Sequence, residues 1–244
     1  MRWLVAAAIA AGLIVGTICL GAAHAIAQEN DLDSPKADAA HYKVEFENEQ
    51  VRVVRWVIQP GDKSAKHSNP NNVSIFLTDV NGKVTTPDGK TTEIHGKAGT
   101  AAWCGPTTHV VENIGDKPME GILVEPKGPG NAAWTPPPRD SVKTAPETHK
   151  LEFENDQVRV VRVHYEPGEK APMHDHPDQV QIWLTDADIP IKMPDGKTQV
   201  DHVKAGLARW RHAFSHAAEN VGDKPFEYIS VELKGAPPAT TANK

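Results

Sequence analysis

The sequence predicts an all-β protein built as two copies of one small antiparallel barrel or jelly roll, and three observations predict it. The first is self-similarity at an offset of 107. From Val44/Leu151 to Gly128/Gly235, 44 of 85 gapless positions are identical, the mark of a duplicated domain. The second is punctuation: 20 prolines and 18 glycines in 244 residues set turns at short intervals, with Pro-Asp-Gly-Lys and Gly-Asp-Lys-Pro in both copies. The third is period. Val51 and Val53, like Val158 and Val160, alternate with arginines, and the segments 73–78 (VSIFLT) and 180–185 (VQIWLT) are β-branched and aromatic. No stretch of ten residues carries a helical apolar stripe. Closing such short strands into barrels hides their edges.

Taken in chain order, residues 1–27 read as a secretory signal peptide. Arg2 precedes an uncharged apolar run that ends in Ala23-His24-Ala25 and Ala25-Ile26-Ala27, so cleavage is expected before Ile26 or Gln28, giving a periplasmic or secreted protein. An uncleaved anchor is the alternative, because about 20 apolar residues span a bilayer. Removing 1–27 leaves one cysteine, Cys104, so there is no internal disulfide and packing must supply stability. Residues 28–40 read as a flexible lead, 41–127 as the first barrel, 128–148 with Pro136-Pro137-Pro138 as a stiff linker, 149–235 as the second barrel and 236–244 as a flexible tail. A formal net charge of -6 leaves no basic surface for a phosphate backbone, which excludes nucleic-acid binding. No membrane partner is expected after cleavage. A small-molecule ligand is expected, and self-association stays open.

Histidine spacing gives the candidate site. His174 and His176 follow Gly168, and residues two apart on a strand share a face, so both imidazoles aim at one point inside the second barrel. His216 comes from a neighbouring strand. Three neutral imidazoles in a partly enclosed pocket make a facial metal site with open positions for water or substrate. The same positions in the first copy hold His67, Asn69 and His109, a poorer set that reads as having lost its metal, with an asparagine-containing site of lower affinity as the alternative. Glu112 and Glu219 alternate away from His109 and His216 and read as surface acids. Trp103, Trp210, Phe76 and Trp183 read as packing residues. Arg209 and Arg211, where the first copy has Ala102 and Cys104, read as solvated rim charges, with contact to an acidic substrate as the alternative.

Together Gly168, His174, His176, His216 and Asn220 resemble the cupin superfamily. Its first motif runs glycine, five residues, His-x-His, three or four residues, glutamate; its second ends in histidine, three residues, asparagine. The resemblance spans both copies and implies a bicupin with one divalent ion (Fe, Mn, Ni, Cu or Zn) on His174, His176 and His216 in the C-terminal barrel. The chain departs from the motif where the glutamate should fall, at Val180 and Gln181. Alternation is expected to put Val180, Ile182 and Leu184 on the inward face, leaving three histidines and no protein carboxylate. Gln181 or Gln179 becomes a fourth ligand only where a bulge turns it inward. The implied activity is dioxygenase-type oxidoreductase chemistry on a small organic molecule, enolic or phenolic, with catalytic residues unassigned. The alternatives are a metal- or ligand-binding module without turnover and a zinc hydrolase or isomerase.

Overall fold

A computed structural model describes residues 31–235; the expected signal peptide and the tail 236–244 lie outside the described residues. The first copy forms β1 (Tyr42–Glu47), β2 (Val51–Ile58), β3 (His67–Asn69), β4 (Asn72–Phe76), β5 (Val80–Thr85), β6 (Thr91–Gly96), β7 (Ala101–Cys104), β8 (Thr107–Asn113) and β9 (Met119–Pro126). The second repeats the pattern as β10 (His149–Glu154), β11 (Val158–Tyr165), β12 (Lys170–His176), β13 (Gln179–Trp183), β14 (Ala187–Lys192), β15 (Thr198–Val203), β16 (Ala208–Arg211), β17 (Phe214–Glu219) and β18 (Phe226–Leu233). In each barrel a five-stranded sheet, β1-β2-β9-β4-β7 or β10-β11-β18-β13-β16, is joined by a four-stranded one, β3-β8-β5-β6 or β12-β17-β14-β15.

The two five-stranded sheets pack against each other, so both of their faces are buried. On β2, Val51 and Val53 join Val73, Ile75 and their second-copy counterparts in a core shared by the barrels. The intervening Val54, Trp56 and Ile58 fill the first barrel's own interior. This overturns the inward placement of Val180, Ile182 and Leu184, which belong to the shared core. Strand alternation then turns Gln179, Gln181 and Trp183 inward, and all three are buried. The pattern misleads because a sheet covered on its outer face is apolar there too.

Polar contacts between the barrels are reciprocal. Arg55 donates to the Gly206 carbonyl at 2.5 Å and Arg162 to that of Gly99 at 2.6 Å. Gln50 donates to Asp178 at 2.6 Å, and Asn71 to Gln157 at 2.9 Å. Each pair is the other's image at the repeat offset, the arrangement of a two-fold symmetric dimer realised within one chain.

The stretches read as a flexible lead and a stiff linker each hold a short helix, α1 (Ser34–Ala37) and α2 (Ser141–Thr144). The residue before each helix reaches into a barrel: Asp33 pairs with Arg52 at 2.7 Å and Asp140 with Arg159 at 2.6 Å. The repeat therefore starts before its main block of identities.

Candidate metal centre

Pairing of β12 with β17 sets His174 opposite His216 and His176 opposite Phe214. His174 donates from Nδ1 to the Pro172 carbonyl at 2.7 Å, which leaves its Nε2 lone pair free. That Nε2 lies 3.0 Å from Nε2 of His176 and 3.0 Å from Nε2 of His216. The three histidines singled out from sequence are thus brought together, and a fourth joins them. His149, at the start of β10, has a ring nitrogen that groups with those of His174 and His176 within 4.8 Å. Its Nδ1 donates to Thr148 Oγ1 at 2.9 Å, and its Nε2 is buried without a partner. Burial, reinforced by the neighbouring imidazoles, holds His149 down at about 3 and His176 and His216 well below the ordinary histidine range. Burial also lowers His174. All four rings are neutral near pH 7, with lone pairs available.

The donor set fits a divalent ion. Neutral nitrogens facing each other by their lone pairs repel unless a proton or cation lies between them. Two imidazole nitrogens bound at about 2.1 Å to one ion and at right angles lie about 3.0 Å apart, which is the observed spacing.

Behind the cluster, outside the group of ring nitrogens, stands Glu232, which the sequence reading did not single out. It lies on β18 directly across from Arg159. Its Oε1 is 3.5 Å from Nδ1 of His176 and its Oε2 is 3.3 Å from Arg159, which Asp140 holds from the other side. Burial pushes the carboxyl up to about 8, against the pull of Arg159. Near pH 7 the carboxyl is therefore largely protonated, and it stands beside the His176 ring without a hydrogen bond to Nδ1. The first copy repeats the chain of contacts as Asp33, Arg52 and Glu125.

Gln181 faces the pocket without any bulge, but its oxygen accepts from Arg209 Nε at 3.0 Å, and the Gln179 oxygen accepts from Ser230. Arg209 also grips Asp201, with Nη1 2.8 Å from Oδ1. Arg211 lies over the Phe214 ring at 4.8 Å and 3.5 Å from Asp201. Both arginines line the barrel's interior with His216, Trp183 and Tyr228, and the space left among them is about 20 Å³. They are part of the filling and not a solvated rim. Glu112 and Glu219 lie outside, paired at 2.9 Å with Lys83 and Lys170 respectively.

Neither the family models nor the curated proteins give a match. Solved structures do. AerE from Microcystis aeruginosa, 12% identical, aligns over 80% of this chain and 93% of its own at a TM-score of 0.54. Oxalate decarboxylase from Bacillus subtilis, 15% identical, aligns over 75% of this chain and 68% of its own at 0.51. A variant of salicylate 1,2-dioxygenase from Pseudoaminobacter salicylatoxidans, 10% identical, aligns over 75% and 71% at 0.50. The fold is that of a bicupin. In this chain the C-terminal barrel gathers four imidazoles, whereas the N-terminal barrel has Tyr42, His67, Asn69 and His109 in their places.

Proposed function

We propose that this bicupin is exported, to the periplasm or beyond, and binds one divalent metal in its C-terminal barrel through His174, His176 and His216, with His149 as a fourth imidazole. We propose further that it uses the metal for dioxygenase-type oxidoreductase chemistry on a small organic molecule. The observation that carries the reading is the convergence of the His176 and His216 Nε2 atoms on that of His174, each at 3.0 Å. Once bound, the ion supplies a Lewis acid and a template for substrate oxygens and dioxygen. The chain's own part is preparation. The Pro172 carbonyl and the Thr148 hydroxyl fix two tautomers, Glu232 packs behind His176, and burial keeps bulk water away. The Arg211 guanidinium, beside His216 in the pocket wall, suits a substrate bearing an anionic oxygen. Mn(II) centres are named for the oxalate decarboxylase of like fold and a dioxygenase stands among the others, which supports a redox metal over zinc.

A binding module without turnover is the second reading, and one observation favours it. The space of about 20 Å³ beside His216 holds one water and little more. Elemental analysis of protein from the native host, followed by dioxygen uptake with enolic and phenolic candidates, tests the proposal. One iron or manganese per chain with substrate-dependent uptake supports it. A bound redox metal with no uptake supports the binding module, and bound zinc with hydrolytic turnover supports the hydrolase.

A further inference from the structure

The two barrels differ most in what they hold inside. Where the C-terminal barrel has Gln181, Asp201, Arg209, Arg211 and Phe214, the N-terminal barrel has Ser74, Ile94, Ala102, Cys104 and Thr107. These exchanges remove every charge of the cluster and most of its side-chain volume from one wall. A cavity of about 570 Å³ results, in place of about 20 Å³, and that size falls in the range of small-molecule sites.

Trp56, Phe76, Val84, Ile94 and Leu123 give the cavity apolar sides, and Asn69, Asn72 and His109 give it a polar end. Asn69 and Asn72 are both buried, and both side-chain oxygens lack a partner. Their amide nitrogens are already directed elsewhere, that of Asn72 to the Pro70 carbonyl at 2.8 Å and that of Asn69 toward His109 Nε2 at 3.5 Å. The polar end therefore offers acceptors to an occupant. Among the described residues no lysine or arginine lines the cavity, and burial keeps the Cys104 thiol protonated and the His109 ring neutral. An anion has no counter-charge there, and the cavity's carboxylate, Glu93, is exposed to solvent and so compensates no cation drawn to the buried amides.

We infer that the N-terminal barrel is a binding site for an uncharged, largely aromatic small molecule that donates a hydrogen bond from a hydroxyl to the unpaired side-chain oxygen of Asn69. This site works without metal and is separate from the C-terminal centre.

Titration of the full protein with 2-naphthol, naphthalene and 2-naphthoate, followed by tryptophan fluorescence and calorimetry, tests it. 2-Naphthol binds saturably at one per chain. Naphthalene, with no donor, binds at least about tenfold more weakly, the worth of one buried hydrogen bond, and 2-naphthoate binds more weakly still. Chelator-treated protein gives the same curve. Thr107→Phe and Ala102→Leu, which put bulk where the C-terminal barrel has Phe214 and Arg209, each lower 2-naphthol affinity at least about tenfold, and Asn69→Leu abolishes the preference for 2-naphthol over naphthalene. Thermal denaturation verifies that each variant is folded, and the three-ligand comparison on the unaltered protein stands whether or not they are. Absent or unsaturable 2-naphthol binding, equal binding of 2-naphthoate, or loss of binding with chelator overturns the inference.

Discussion

Replacing His176→Asn gives the C-terminal barrel the residue that its sister already carries at that position, Asn69. The His176 side chain is buried, with Nε2 3.0 Å from that of His174 and Nδ1 3.5 Å from Glu232. An asparagine oxygen reaches less far from Cβ than imidazole Nε2, so the substitution removes the ligand outright. Changes outside the ligand shell alone cost about 10- to 100-fold in metal affinity, so loss of a ligand costs at least about 100-fold. At an ion concentration of 100 times the dissociation constant, binding stabilises the unaltered protein by about 2.7 kcal/mol; after a 100-fold loss the same concentration contributes about 0.4 kcal/mol. For a chain of this size about 2–4 °C accompanies each kcal/mol. The metal-induced shift in Tm therefore falls from about 5–11 °C to about 1–2 °C. Melting with and without Mn(II), together with elemental analysis, measures both numbers. The reciprocal Asn69→His adds an imidazole between His67 and His109 and raises the stoichiometry from one toward two. A His176→Asn protein that keeps one metal and the full shift refutes the reasoning, as does an unaltered protein that holds two metals, or none under replete conditions.

Glu232→Gln, isosteric with the protonated carboxyl that burial favours, leaves the fold intact and changes metal affinity by less than about tenfold in calorimetry, because Glu232 makes no hydrogen bond to His176; a loss of about 10- to 100-fold, the usual effect of removing an outer partner, counts against that reading. Ile182→Ala, in the core shared by the barrels, costs about 2–5 kcal/mol in chemical denaturation. The loss appears as a shift of one transition; two separate transitions count against a shared core. His109, held by burial at about 4 against an ordinary 6.5, binds fewer protons folded than unfolded between those values. Stability therefore falls as pH drops from about 6.5 to about 4, by up to about 3 kcal/mol; His109→Leu flattens that part of the profile, and an unchanged profile counts against a buried neutral ring. Mass spectrometry of protein from the native host finds an N-terminus near Ile26 or Gln28, whereas an intact Met1 on membrane-bound protein favours the anchor.

Much of this was legible because it obeys simple periods. The offset of 107 exposed the duplication, and the i, i+2 spacing of His174 and His176 put both rings on one face. His149 escaped because it has no such spacing: it stands just ahead of the block of identities, where the first copy has Tyr42. Only the pairing of β10 with β11, with its register shift between Leu151 and Phe153, carries it to the cluster. Glu232 was hidden in Val231-Glu232-Leu233, which reads as an ordinary half-exposed strand until its face is known. The same unknown reversed β13. With the outer face of the sheet covered by a second barrel, hydrophobicity no longer distinguishes inside from outside, and alternation alone, read from the apolar positions, turns Gln179 and Gln181 away from the interior.

The distribution of identities between the copies follows from that packing. On the shared face the paired positions are the same residue at Val51 and Val158, Val53 and Val160, Val73 and Val180, Ile75 and Ile182, Ile122 and Ile229, and Val124 and Val231, and differ at Pro126 and Leu233 at its edge. Inside the barrels Tyr42 faces the role of His149, Ile58 that of Tyr165, Met119 that of Phe226 and Leu123 that of Ser230. Around a pseudo-two-fold axis both halves of a core are built from one set of shapes, so a change in one copy opens a void or forces an overlap at a cost of about 1–5 kcal/mol. Each interior is closed off from the other by its own sheet, and a change there is absorbed locally. Duplication under this geometry fixes the seam and frees the two cavities to part. One filled with arginine, aspartate and aromatic rings around four imidazoles, and the other gave up those charges for an apolar chamber with two unpaired amide oxygens at its end.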